Sequence, residues 1–495
     1  MGYSEIHCTI CGVSFSIGRI RTRHEPRSYA WCYYGGGTCS QYTLPDEDCC
    51  PSSGCTFVDR TKPTDNFQPV DSDRKVAFAP DGQIPYETEH VAGPDCKKNA
   101  GYNGHHFSTT TVRRVRTAQC ITRKPTDDDD DIANKEVRPP VWSPASDDEP
   151  WEEDSKWMLT GMTTKTQERE DGGTEGWAPI RHGVREFWAD EFHFDHLDDF
   201  RTALPFHPWC LEVYLRAAFA KKGKVDVDGL GEWWEQSDSL GGTDEVERCM
   251  GLDECNGQYW VHEKDSAFLI MDPLKDEDLM RILNEAMEVE HGFDASHSAF
   301  AERKSPPPTT DEQHDPFLTL PPELLQHILT LLPTPSIGAA RTASRAFTHI
   351  PISFFHHLLR KDFPWIWEVD PDTSTALPKY SKWTQKVVDD AARELESDTF
   401  DPPDDEAGSQ EDGGGSQEAE VAAAVGPAES NEGYNIPPVL PRFQTNWFKL
   451  YAALKKAGHS IPGLRNRERI WTDCGQILKK IDEMRVKHEE AEKWA

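Results

Sequence analysis

Two cysteine pairs near the start of the chain have the spacing that lets neighbouring thiolates reach one metal ion: Cys8-x2-Cys11 and Cys50-x4-Cys55. Together they offer four sulfur donors, enough for a closed tetrahedral zinc site that supports a fold and performs no reaction. The 38 residues between the pairs exceed the usual spacing of small zinc modules, and Cys32, Cys39 and Cys49 stand by as substitute ligands. Thiols that are simply buried or at the surface are the plainer reading of the same residues. A second constellation, His193-x2-His196 with His207 and Cys210 nearby, offers imidazoles and a thiolate that can leave one position open for water. Neutral histidines satisfied by hydrogen bonds on a Trp- and Phe-rich helical surface are the plainer reading of the same residues. The sequence contains no His-Glu-x-x-His pair, no Gly-x4-Gly-Lys-Ser/Thr loop and no Gly-x-Ser-x-Gly elbow. No catalytic residue is therefore assigned, and a structural zinc is the one cofactor these residues point to.

The elements that must position these side chains are spread unevenly over 495 residues, a length that accommodates two to four domains. Only 36% of residues are apolar, and 36 prolines and 34 glycines break the chain into short pieces, so much of it is expected to be loop or linker. The net charge of −34 opposes binding to nucleic acid or to an anionic membrane surface. Arg113-Arg114-Val115-Arg116 and the arginines from Arg465 to Arg469 are too short to reverse this and read as solvated faces. The first residues lack an apolar signal region, and no run approaches the ~18 apolar residues of a membrane span. An intracellular protein, cytoplasmic or nuclear, is expected, and its 13 cysteines should then be reduced thiols or metal ligands.

These features predict a multidomain α+β protein. Residues 1–123, with seven cysteines before residue 56 and a Thr- and Val-rich stretch from Phe107 to Thr122, form an irregular, Cys-rich, mostly β module. Residues 124–176 are acidic, lack periodicity and read as a linker. Residues 177–300 form a mixed central unit, with helical spacing in Leu211, Tyr214, Leu215, Ala218 and Phe219 and in Leu279, Ile282, Leu283, Ala286 and Met287. Its tryptophans, Trp233, Trp234 and Trp260, make it the candidate for substrate recognition. A Pro-rich linker at 301–316 sets off a helical segment at 317–396. Residues 397–436 are expected to be disordered, because 11 acidic residues and no Lys or Arg lie between Ser397 and Glu432. The C-terminal part, 437–495, holds two amphipathic helices, one with Trp447, Leu450, Tyr451 and Leu454 on a face, the other with Ile470, Cys474, Ile477, Leu478 and Ile481. Both must dock on the body that precedes the acidic stretch.

The segment from 317 is the most sharply punctuated. Pro321 and Pro322 sit where a helix tolerates proline, in a first turn whose amides lack partners anyway. Leu324, Leu325, Ile328, Leu329 and Leu332 cover more than one helix face, which is more apolar surface than a three-turn helix needs for its own core. Pro333 and Pro335 break the chain, Ser336 is placed to cap a second helix carrying Ile337, Ala340 and Phe347, and Phe354, Phe355, Leu358 and Leu359 mark a third. Three helices this short make a marginal module of the kind commonly completed by a partner surface.

The order Leu320-Pro321-x-Glu323-Leu324-Leu325, x-x-Ile328-Leu329, x-x-Leu332-Pro333, then Arg341, Ser344-Arg345 and Phe347, resembles the F-box motif. The resemblance implies a non-catalytic substrate receptor of an SCF-type cullin-RING ubiquitin ligase. It would dock on the small adaptor subunit, and through it on the cullin, and recruit an unidentified protein for ubiquitination. By position, Leu320, Pro321, Leu324, Leu325, Ile328 and Leu329 would supply most of the adaptor contact, with Ile337 and Phe347 in support. Gly338-Ala339-Ala340 replaces the bulkier aliphatics usual early in the second helix, and Pro351 the usual continuation. Cys8-Thr9-Ile10-Cys11-Gly12, Gly93-Pro94-Asp95-Cys96, Leu204-Pro205-Phe206-His207-Pro208-Trp209-Cys210 and Gly463-Leu464-Arg465-Asn466-Arg467 are further similar to a family of long filamentous-fungal F-box proteins. Two other functions stay open: a zinc-dependent hydrolase using His193, His196 and His207 that carries an F-box for its own turnover, and an F-box scaffold outside the ligase.

Overall fold

Helices and small sheets alternate along the chain, as in an α+β protein. The computed structural model describes residues 7–15, 17–30, 52–59, 64–69, 88–96, 102–124, 144, 148–163, 177–179, 191–193, 203–239, 246, 264–274, 276–300, 315–370 and 439–494. Its strands are β1 (Arg19–Ile20), β2 (Thr56–Asp59), β3 (Gln68–Pro69), β4 (Thr88–Val91), β5 (Tyr102–Asn103), β6 (Ala118–Arg123), β7 (Trp157–Thr163), β8 (Trp177–Pro179), β9 (Glu191–His193) and β10 (Ala203–Phe206). Its α-helices are α1 (Thr109–Arg116), α2 (Pro208–Lys222), α3 (Val227–Ser239), α4 (Glu277–Met287), α5 (Pro322–Leu331), α6 (Thr334–Ala343), α7 (Phe354–Asp362), α8 (Trp447–Ala457) and α9 (Pro462–Trp494). The strands make four small sheets, in the orders β1-β5, β10-β6-β7, β3-β2-β4 and β8-β9.

One core is built on β10-β6-β7. Pro205 sits in β10, an edge strand of this sheet, where a missing amide costs no ladder bond on the outer side. Directly after β10, Pro208 opens α2, which ends at Gly223 in the left-handed conformation with φ 70°. Trp209 through Ala218 are buried without interruption, so this helix runs through the interior rather than along a surface. Cys8, Ile10, Cys11, Val13, Phe15, Ile17, Val112, Val115, Trp157, Trp233, Trp234 and, from α9, Ile470, Cys474, Ile477, Leu478 and Ile481 complete the same core. It draws on the N-terminal module, the central unit and the last helix together.

The second core holds Leu279, Ile282, Leu283 and Ala286 of α4, then Leu329, Ile337, Phe347, Phe354, Phe355, Leu358 and Leu359, then Trp447, Leu450, Tyr451 and Leu454 of α8. The helical segment after 317 is therefore not physically set apart: α4 and α8 share its interior. At the junction of α6, α7 and α8, Asp362 accepts hydrogen bonds from Thr334 (3.0 Å) and Tyr451 (2.7 Å). Helix α9 starts in this second core with Ile461 and Leu464 beside it and continues into the first, so the faces expected for both C-terminal helices are the ones that dock.

Several local expectations give way. Residues 107–122 are not one strand: Ser108 accepts a hydrogen bond from the amide of Thr111 and starts α1, which buries Val112 and Val115 three residues apart. Residues 124–176 are not linker throughout, because β7 pairs with β6 and buries Trp157 and Leu159. Ser336 is not the cap of α6; Pro333 occupies that position and Pro335 falls in the first turn. The arginine clusters are not solvated faces. Arg116 donates to the carbonyl of Ile17 (2.6 Å), while Arg467 and Arg469 are fully buried in α9. Arg467 pairs with Glu368 at 3.0 Å, between the two cores. All seven described cysteines are reduced thiols.

Candidate functional site

Cys8, Cys11, His207 and Cys210 converge in the first core, fully buried, with their ligating atoms all within 4.8 Å of one another. Two local structures present them. Residues 7–14 fold back on themselves through a bridge between His7 and Ser14, with Gly12 at φ 74° and its amide bonded to the Cys8 carbonyl (2.7 Å). Only a residue tolerant of positive φ closes so tight a turn. The amides of Cys11 and His207 both point at the Cys8 sulfur, at 3.4 Å. The other pair comes from the start of α2, where His207 is the N-cap residue and Cys210 lies in the first turn.

His207 is oriented for ligation. Its Nε2 lies 2.8 Å from the Val115 carbonyl, and a proton donated there leaves the Nδ1 lone pair facing the Cys11 sulfur at 3.4 Å and the Cys210 sulfur at 3.7 Å. Tetrahedral zinc, with bonds of about 2.3 Å to sulfur and 2.0 Å to nitrogen, needs sulfur–nitrogen separations of about 3.6 Å. The charges agree. Burial opposes a protonated His207, yet the Cys8 and Cys11 sulfurs outweigh it and push the imidazole up to about 10. Burial likewise raises the Cys11 thiol, but hydrogen bonds with Cys210 and Cys8 and the charge on His207 bring it well below its usual range. Burial and the neighbouring Cys11 and Cys8 sulfurs push the Cys210 thiol well above its usual range. A divalent cation would take the place of the protons this cluster holds.

The ligand set expected from the cysteine pairs is thus corrected. Cys8 and Cys11 pair with His207 and Cys210 rather than with Cys50 and Cys55; Cys55 joins His90 and Cys96 in a separate cluster, and Cys50 lies outside the described residues. The open set built on His193 and His196 also loses two members, since His207 and Cys210 complete a closed one. His193 falls in β9, and His196 lies outside the described residues. His207-x2-Cys210 repeats the x2 spacing of Cys8-x2-Cys11, and that repetition was the available signal. The 196 positions between Cys11 and His207 concealed the match.

Helix α5 has two apolar faces and packs one of them. Leu329 is buried in the second core, with Leu325 and Ile328 half-buried beside it. Leu324 and Leu331, seven residues apart and so on the same side, are 49% and 71% exposed. Leu318, just before the helix, is 52% exposed, Pro321 is exposed and Leu320 half-buried. Ile337 and Phe347 are buried beneath, Phe347 against Phe317 at 5.0 Å between ring centres. Of the eight residues expected to meet a partner, Leu324 and Pro321 lie open, Leu320, Leu325 and Ile328 lie between, and Leu329, Ile337 and Phe347 serve the interior.

No helix among the described residues is long and apolar enough to cross a membrane. No protein-family model matches the chain, and comparison with curated proteins and with solved structures likewise returns no match.

Proposed function

We propose that this chain is a non-catalytic F-box substrate receptor of an SCF-type ubiquitin ligase, seated on the small adaptor subunit through the outer face of α5. The observation that carries this reading is the pair Leu324 and Leu331, left bare on a helix whose opposite side is already packed. Large aliphatic side chains left bare on one side of a helix favour a covering partner. Leu318 and Pro321 extend it toward the N-terminal end of the helix. The adaptor would in turn hold the cullin. Bringing a bound protein substrate close to the ubiquitin-charged enzyme then accelerates transfer by proximity, without a reacting group from this chain.

Zinc at Cys8, Cys11, His207 and Cys210 has a structural role in this reading. Four protein donors close the coordination sphere and leave no position for a substrate water. The ion would pin the N-terminal turn to α2 and so support the first core.

The test is co-purification of full-length chain with the small adaptor and cullin. Leu324→Asp with Leu331→Asp is expected to abolish adaptor binding while the circular dichroism spectrum and melting temperature stay those of the parent, because both side chains already face water. Undiminished adaptor binding by this variant rejects the reading. Adaptor recovered without cullin transfers the protein to a scaffold outside the ligase.

A further inference from the structure

Cys55, His90 and Cys96 form a second buried cluster, with ligating atoms within 4.8 Å of one another. Cys55 follows the turn at 52–54 and leads into β2; His90 lies in β4, directly across from Phe57; Cys96 closes the turn that begins at Gly93. The Gly93 amide points at the Cys55 sulfur (3.3 Å), and the Cys96 sulfur lies 3.9 Å from His90 Nε2. That separation is long for a hydrogen bond and close to the edge of a zinc tetrahedron. The Asn103 side chain clamps the second turn by donating to the carbonyls of Gly93 (3.1 Å) and Cys96 (3.2 Å). The two turns touch backbone to backbone: a Cβ on Gly93 would fall 1.9 Å from the Ser53 carbonyl oxygen.

Among the described residues, this part of the fold gathers only a small apolar cluster. Its apolar cluster consists of Ile20, Cys55, Phe57, Ala92 and Cys96, and two of those five are the cysteines themselves. A small sheet with few described apolar partners is of the kind that a covalent or metal staple supports, and Cys55 and Cys96 form no disulfide. We propose that Cys55, His90 and Cys96 bind a second zinc ion, independent of the first, that holds β2 and β4 to the Gly93 turn. Two thiolates and an imidazole select zinc over the oxygen-seeking magnesium and calcium. They fill three corners of its tetrahedron and leave the fourth to a further donor. Neither the α5 face nor the Cys8 site enters this inference.

Zinc is counted in the full-length protein after gel filtration. About two ions per chain are expected, falling to about one in Cys96→Ala and in His90→Ala. Wild-type protein without zinc, or a Cys96→Ala variant that keeps the wild-type content, overturns the proposal. Should those variants fail to fold, the wild-type chain decides. Alkylation of Cys55 and Cys96, read by mass spectrometry, is expected to accelerate at least about tenfold once a chelator strips the metal. Equal rates with and without chelator overturn the proposal.

Discussion

Arg469 donates a 2.7 Å hydrogen bond to the carbonyl of Cys11, joining residues 458 positions apart. The guanidinium is fully buried, pairs with Asp473 at 3.3 Å, and also donates to Asn466 at 3.0 Å. Asn466 in turn donates to the carbonyl of Met271 (2.7 Å), so one turn of α9 ties the N-terminal Cys8–Cys11 turn to the middle of the chain. Arg469→Ala strips the buried Asp473 of this cationic partner and is expected to cost about 3–5 kcal/mol. Urea unfolding measures the loss, and a cost under about 1 kcal/mol would show that this network does not hold the turn.

Removal of zinc from the Cys8 site should destabilise the whole first core, because its four donors come from the N-terminal turn and from α2. His207→Ala is expected to lose one ion and lower the melting temperature, whereas His207→Cys, which retains a donor, is expected to keep the ion. Metal analysis beside calorimetry checks both. A His207→Ala protein with unchanged zinc content would falsify the assignment.

The two faces of α5 predict opposite costs for the same truncation. Leu329→Ala empties a buried position and should cost about 2–5 kcal/mol. Leu324→Ala should change stability by less than about 1 kcal/mol while weakening adaptor binding. Equal destabilisation by the two variants, read from denaturation midpoints, would mean that Leu324 already has an internal partner.

Two helical glycines make a second contrast. A Cβ on Gly475, on the exposed side of α9, meets nothing within 4 Å, so Gly475→Ala should stabilise by about 0.5–1 kcal/mol. A Cβ on Gly231 would lie 2.1 Å from Cε2 of the buried Trp157, so Gly231→Ala should destabilise by about 1–3 kcal/mol as α3 is forced off β7. Melting temperatures that move in the same direction would contradict this packing.

Acid should weaken the contact between α9 and the loop before α3. Burial raises the pKa of Asp226, but hydrogen bonds from Arg485 (2.7 and 2.8 Å) and Lys222 (2.7 Å) outweigh it and bring the carboxyl to about 2. A folded pKa below the unfolded value gives stability that is present above about pH 4 and lost as the pH falls through about 2. The contribution is on the order of 2 kcal/mol. Arg485→Met should flatten the fall in stability over that window; an unchanged slope in urea titrations would assign the acid sensitivity elsewhere.

Elements whose patterns repeat over a few residues could be read directly from the order of side chains. The apolar faces of α2, α4, α8 and α9 were legible because a helix returns the same side every 3.6 residues, and the prolines at 321, 322, 333 and 335 bounded α5 and α6 because a missing amide is tolerated only at a first turn. Burial of Arg467 and Arg469 was not legible: Glu368, Asp473 and the Cys11 carbonyl make those charges affordable, and two of those three lie on distant parts of the chain. Which donors lie together was settled by the folded arrangement alone. Ligation depends on distances of a few ångströms, and sequence spacing carries no record of them once about two hundred residues intervene between Cys11 and His207. The same holds for α5, where packing against α7 within the second core selected which leucines are covered and which are left to water.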